Sequence, residues 1–233
     1  MVRGAGAPAR AALLRRLREA VERDERIVGL VDYGSGGEGR LDEWSDLDVA
    51  LFIRDADLDA FGRDWRGWAA GLGDLLLGYV GRYGHPWGVY DAAPVPLRVD
   101  FDLHPASRVD NVLTWPISPA SVEAMVLYDA TGGRLTARVG EMVGRSLRPA
   151  DPQAAFERVC GDFWYFLLYV HCKLGRGERW VARQVYHSEV LEHLLLLLRL
   201  EAGATDRWEG APSAWGVERA LSPGRLARLD ACI

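Results

Sequence analysis

Basic side chains are not in excess in this 233-residue chain: 28 lysines and arginines stand against 33 acids, a formal charge of −5. A protein that neutralises a long stretch of nucleic-acid backbone carries the opposite balance, which argues against a general nucleic-acid binder. Lysine itself is almost missing. The bases include one, Lys173, which reads as a genomic composition bias rather than as a functional signal. Cysteine is scarce as well. Cys160, Cys172 and Cys232 are too few and too scattered for a disulfide framework or a CxxC zinc site, and are expected as reduced thiols. No apolar run nears the roughly 20 residues that cross a bilayer; the leucine run Leu194 to Leu198 and the aromatic-rich run Phe163 to Val170 both fall far short. The opening MVRGAGAPARAALLRRLREA has no apolar core of signal-peptide length. The expectation is a cytoplasmic protein with no membrane and no nucleic-acid partner.

What is present looks globular, with 49% hydrophobic and 26% charged residues. Pro8 suits a helix start, and Leu13, Leu14, Leu17 and Val21 continue it at helical spacing. Residues 27–33, IVGLVDY, and 46–53, DLDVALFI, read as strands, with the glycine-rich GSGGEG at 34–39 after the first. Residues 58–80 read as a helix whose apolar face is Trp65, Trp68, Leu72 and Leu75 to Leu77, although glycines at 62, 67, 71, 73 and 78 weaken it. Strands are expected at 87–91, 97–103 and 125–129. Beyond Arg148-Pro149-Ala150-Asp151-Pro152 no strand signal follows. Residues 153–174 and 179–202 read as long helices and the tail from 213 as helical. The fold class is therefore α+β: a mixed-sheet domain over 1–148, then an all-helical domain over 149–233.

Gly34-Ser35-Gly36-Gly37-Glu38-Gly39 formally matches GxGxxG. A dinucleotide fingerprint must open a crossover helix, and only residues 40–45 separate the loop from the next strand. The match is a coincidence of a glycine-rich turn. Its neighbour explains it better. In Ser45-Asp46-Leu47-Asp48 the two carboxylates lie on one face of a strand. Two carboxylates beside a glycine loop suit a magnesium-bound triphosphate, because magnesium prefers oxygen ligands and glycines let backbone N–H groups approach phosphates closely. Leu97 to Leu103, LRVDFDL, adds a second pair, Asp100 and Asp102. Each piece alone reads as a solvated sheet face with ordinary turn acids. Together they favour a metal–phosphate site, since burying several carboxylates without a cation is prohibitive.

Gly34-Ser35, then Asp46-Leu47-Asp48, then Asp100, resembles the nucleotidyltransferase superfamily of the DNA polymerase β type. The stretch DERIVGLVDYGS, the spacing to SDLD, RVDFD, AMVLYDATG and CKLGRGE are similar to the lincosamide nucleotidyltransferases, over most of the chain. The resemblance implies a polymerase β-like domain followed by a helical domain. It also implies transfer of AMP from ATP to a hydroxyl of lincomycin or clindamycin, as in antibiotic resistance by modification. Where those relatives carry glutamate this chain has Asp100, and Asp102 is an additional acid. Family members can continue with more helix beyond Leu229-Asp230-Ala231-Cys232-Ile233, so the last part of the pocket is expected either from the partner in a homodimer or to be missing.

The expected roles follow. Asp46, Asp48 and Asp100 hold two Mg2+ ions for in-line displacement at phosphorus. Asp100, or else Asp102, takes the proton of the acceptor hydroxyl. Gly34, Ser35 and Ser45 contact the phosphates of ATP, and Lys173, Arg176 and Arg183 of the helical half neutralise departing pyrophosphate. Ordinary helix-end charges are the competing reading of those three. His171, His187 and His193 show no metal spacing and read as core or surface residues. Trp44 or Trp87 is placed to stack on adenine or a sugar. Competing functions are the same chemistry on an aminoglycoside, another metabolite or a protein partner, and a catalytically idle nucleotide-binding module.

Overall fold

A computed structural model describes residues 6–93 and 95–232. The chain divides into two compact units, Met1–Arg145 and Ser146–Ile233.

The first unit is built on six strands: β1 (Ile27–Asp32), β2 (Leu47–Ile53), β3 (Leu75–Val80), β4 (Pro86–Tyr90), β5 (Leu97–Pro105) and β6 (Val126–Asp129). Their order in the sheet is β3-β4-β5-β2-β1-β6. Neighbours are antiparallel except β2 and β5, which run parallel. β5 thus joins the β1–β2 hairpin to the β3–β4 hairpin. The apolar runs at β1 and β2 are those of strands buried on both faces. One face of β2, with Leu47, Val49, Leu51 and Ile53, packs under helices α1 (Gly6–Arg23) and α2 (Leu58–Ala70) through Leu13, Leu17, Phe61 and Trp65. The other face carries Ala50 and Phe52 against the 3-10 segment Ala106–Thr114, the short helix α3 (Val122–Met125) and α4 (Arg134–Met142). On that second face the pattern breaks at Asp48, which is only half-buried.

The helix expected over 58–80 is corrected by the structure. It ends at Ala70, and Leu75 to Leu77 enter β3, paired antiparallel with β4 across a register shift between Leu75 and Leu77. Gly71 and Gly73 weaken a continuing helix, and the ladder with β4 supplies the backbone partners instead. A Cβ at Gly78 would press within 3.2 Å of Trp65, so the missing side chain lets α2 lie flat on the new strand.

The second unit is helical. In α5 (Pro152–Gly175), Asp151 accepts hydrogen bonds from the N–H groups of Gln153 and Ala154, and Pro152 occupies the first turn; both are favoured helix starts. The helix expected over 179–202 is interrupted by a π turn at Tyr186–Val190, between α6 (Arg179–Val185) and α7 (Leu191–Glu201). The extra residue in that turn rotates the apolar stripe. Ala182 and Val190 pack against α5, while Leu195 packs with α8 (Val217–Ala220) and α9 (Pro223–Asp230) through Val217 and Leu229. Among the described residues no helix is long and apolar enough to cross a membrane.

Candidate functional site

The parallel register of β2 and β5 sets Asp48 beside Asp100. The antiparallel register of β5 and β4 sets Asp100 beside Trp87, and that of β4 and β3 sets Trp87 beside Tyr79. Residues paired across a ladder share a face, so Asp48, Asp100, Trp87 and Tyr79 form one row across four strands. Asp46 precedes β2 and receives a hydrogen bond from Arg98, two residues before Asp100. Asp102 sits one step along β5, beside Ala50, with its Oδ2 2.9 Å from His104 Nε2. His104 in turn stacks on Phe52 and leans on Trp115.

Three carboxylates on one sheet face feel each other. Burial first, then the charges of Asp46, Asp100 and Asp32, push the Asp48 carboxyl up to about 7. Burial also raises Asp100, partly offset by His85, whose Nε2 lies 4.0 Å from Asp100 Oδ2. For Asp102 burial is outweighed by His104, which holds the carboxyl below its ordinary value. The two β5 acids are therefore distinct. Asp100 adjoins Asp48 and is the more basic, whereas Asp102 is occupied by a histidine. Tyr33 is driven up by burial and by the same cluster of acids.

The glycine loop folds as a tight turn against these acids. A Cβ at Gly34 would lie 2.0 Å from Asp48 Oδ2, and one at Gly37 2.0 Å from the Asp32 carbonyl oxygen. Only glycine permits so close an approach. Gly34 N–H donates to Asp32 Oδ1 at 3.1 Å. Glu38, Gly39 and Arg40 donate their N–H groups back to Gly34, Gly36 and Ser35. The N–H groups of Ser35, Gly36 and Gly37 have no acceptor among the described residues, and the buried Ser35 Oγ has no hydrogen-bond partner there. Consecutive free N–H groups in a turn form an anion-binding nest.

Beneath the loop lies a buried ion pair. Arg10 of α1 and Asp32 of β1 are 6% and 2% exposed. Arg10 Nη2 donates to Asp32 Oδ2 at 2.6 Å, and Arg10 Nε donates to the Asp46 carbonyl at 2.9 Å. One guanidinium thus ties α1, the base of the loop and the first acid together. Both residues escape sequence reasoning. Asp32 leaves a trace as an acid closing an apolar strand; Arg10 is one arginine among many. His85 and Arg98 carry no prior signal either.

The remaining expected site residues have other partners. Ser45 Oγ donates to Asp42 Oδ1 and accepts from the Asp42 N–H. Lys173 closes the last turn of α5, 2.6 Å from Glu178, and Arg183 lies over the Trp180 ring; both belong to the second unit. Arg176 caps α5 there. Trp44 is exposed in the stretch between the loop and β2, while Trp87 lies in the row. His171 and His187 are exposed, and His193 is part-buried, stacked on Phe166.

Among the described residues no three His, Cys, Asp or Glu side chains stand as a ready-made cation cluster. The acids nevertheless fit a hard divalent ion. Both carboxyls of the Asp48–Asp100 pair are raised, chiefly by burial and then by neighbouring acids, and a bound cation would offset that cost. Asp46 is engaged by Arg98 and would have to release it.

No family model matches the chain, and no curated protein matches it. Solved structures do. An aminoglycoside 6-adenyltransferase from Bacillus subtilis aligns at 17% identity, over 96% of this chain and 78% of that one, with a TM-score of 0.33. A nucleotidyltransferase-like protein from Exiguobacterium sibiricum aligns at 16% identity, over 91% of this chain and 62% of that one, with a TM-score of 0.36.

Proposed function

We propose that the chain is a nucleotidyltransferase that moves AMP from ATP to a hydroxyl of a small-molecule acceptor, releasing pyrophosphate. The observation that carries this reading is the juxtaposition of Asp48 and Asp100 on neighbouring strands with a loop pressed so close that residue 34 has no room for a side chain. Acids alone describe a cation site, and a nest alone describes an anion site. Both within one turn describe a metal-bound phosphate ester.

The chain's own groups divide the work. The free N–H groups of Ser35 to Gly37 and the Ser35 hydroxyl hold the terminal phosphates. Asp46, Asp48 and Asp100 would hold two magnesium ions, which neutralise phosphate charge when bound. Asp100, whose carboxyl is raised by burial, accepts the acceptor's hydroxyl proton. The acceptor oxygen bonds to the α-phosphorus as the bond from that phosphorus to the pyrophosphate oxygen breaks, and pyrophosphate leaves with the electron pair. Asp102 is left out of proton transfer because His104 already occupies it. The acceptor named first is a lincosamide, on the similarity of DERIVGLVDYGS, RVDFD and CKLGRGE to enzymes of that kind.

The test is pyrophosphate release from ATP and magnesium, with and without lincomycin or clindamycin, beside an Asp46→Ala variant. Release that requires both the drug and Asp46 is expected. Nucleotide binding without release on these drugs would move the acceptor elsewhere. A chain that binds no nucleotide in magnesium would refute the reading.

A further inference from the structure

We infer that the β3–β4 hairpin is the acceptor subsite, and that Tyr83 and Trp87 are its specificity-determining residues, receiving the apolar face of a neutral or singly charged ring compound. The inference rests on the nucleotidyl-transfer reading above and goes beyond it by assigning where the second substrate sits and what it must look like.

The argument starts from the row Asp48, Asp100, Trp87, Tyr79. Strands are spaced about 5 Å apart, so the row covers about 15 Å from its first residue to its last. The glycine loop leaves β1, the neighbour of β2 on the side away from β5. Phosphates held in that loop lie at the Asp48 end. In-line displacement puts the entering and leaving groups on opposite sides of phosphorus. With pyrophosphate at the loop and phosphorus over Asp48 and Asp100, the entering hydroxyl comes from the β4 and β3 side.

That side is lined by rings. Trp87 makes edge contacts with Tyr79, Tyr83 and His85, with centroids 5.6 to 6.1 Å away. A Cβ at Gly81 would lie 2.5 Å from the indole, so the turn backbone packs directly on that ring and holds it. Tyr83 stacks on His85, and His85 reaches Asp100, so the stack begins at the third acid. Tyr79 on β3 and Tyr83 in the turn are 44% and 66% exposed, so the hairpin presents aromatic surface to solvent. The Trp87 Nε1 atom is buried with no hydrogen-bond partner among the described residues. Solvent-exposed rings and one unused N–H donor suit a ring compound with an apolar face and a polar edge. A polycation fits poorly, because Arg82 already lies over the Tyr83 ring, 4.6 Å from its centroid.

The test is calorimetry on the full chain with two probes: lincomycin, in the presence of magnesium and a non-hydrolysable ATP analogue, and that analogue alone. Tyr83→Ala removes an exposed ring and Trp87→Phe removes only the N–H and part of the indole; circular dichroism checks that both fold. Each variant is expected to weaken lincomycin binding about tenfold while the analogue's affinity stays within about twofold. Unchanged lincomycin binding in both variants would overturn the assignment. So would weakened analogue binding with lincomycin retained, which would give the rings to the nucleotide base. A wild-type chain that binds the analogue but not lincomycin, and binds polycationic kanamycin instead, would overturn the ligand class. A wild-type chain that fails to bind the analogue would remove the nucleotidyl-transfer reading itself.

Discussion

Replacing Arg10 with methionine should be among the most damaging single changes outside the apolar core. The guanidinium is 6% exposed and Asp32 2%, so water cannot take over the abandoned charge. Breaking a buried pair by removing one partner costs about 3–5 kcal/mol. The lost bond to the Asp46 carbonyl adds about 1 kcal/mol. A total of about 4–6 kcal/mol is a large share of the 5–15 kcal/mol typical of a domain. Asp32→Leu should cost a similar amount, because it strands the arginine and frees the Gly34 N–H that Asp32 Oδ1 accepts. The double variant Arg10→Met/Asp32→Leu removes both charges. It leaves chiefly that N–H and the Asp46 carbonyl unsatisfied, at about 2–3 kcal/mol. The singles therefore sum to well above the double, with a coupling of at least about 3 kcal/mol. Urea unfolding of the four proteins, followed by circular dichroism, measures it. Additive effects, or a cost below about 1 kcal/mol for Arg10→Met, would refute the reasoning.

Other predictions concern the acids and the loop. The Asp48 carboxyl keeps its proton in the fold up to about pH 7, whereas in the unfolded chain it ionises near the ordinary carboxylate value. The folded state holds more protons in that window, so metal-free stability should fall as pH rises from about 4 to about 8, by about 4 kcal/mol. Asp48→Asn should flatten the fall, and stability that climbs with pH across this window in the wild type but not in the variant would contradict it. Magnesium should reverse the loss at pH 8 more than at pH 6, since the ion competes with that proton; equal shifts in melting temperature at the two pH values would count against a carboxylate site. Asp100→Asn should lower turnover by about 100-fold or more while Asp102→Asn stays within about tenfold; the reverse ranking in pyrophosphate-release assays would exchange their roles. Gly34→Ala should abolish nucleotide binding with secondary structure intact, because its Cβ would overlap Asp48 Oδ2; retained binding would show that the loop has slack.

Much of the frame was legible from local pattern. The apolar runs of β1 and β2, the i, i+2 acids and the proline-marked change to helices at residues 149–152 are signals carried by adjacent residues. The error at 58–80 shows the limit. Leu75-Leu76-Leu77 continues the helical stripe of α2 as well as it fills a strand, and the choice was made by β4, a partner farther along the chain. The site divides in the same way. Asp46, Asp48, Asp100 and the glycines announce themselves by spacing. Arg10 does not, because its partner lies 22 residues away and its role exists only when α1 crosses β1. Spacing also left Asp100 and Asp102 equivalent, and the register that places one beside Asp48 and the other beside Ala50 separates them. The loop's hydrogen bonding was hidden too: Gly34 spends its N–H internally and leaves no room for a side chain, while the N–H groups of Ser35 to Gly37 have no acceptor among the described residues.

The central place of β5 has a consequence for how the molecule comes into being. Asp48 and Asp100 lie 52 positions apart in sequence and become neighbours only when β5 slots in beside β2. That pairing is parallel, and the segment between them includes a helix and a two-stranded hairpin. Closing so long a loop is an entropic expense met before any reward from the contact. A chain still emerging from the ribosome, or one partly opened, therefore has the loop and half of its acids but no paired carboxylates. Any ligand that needs both strands binds the finished sheet alone. It then stabilises the whole unit by mass action, so such a ligand would double as an inspector of assembly.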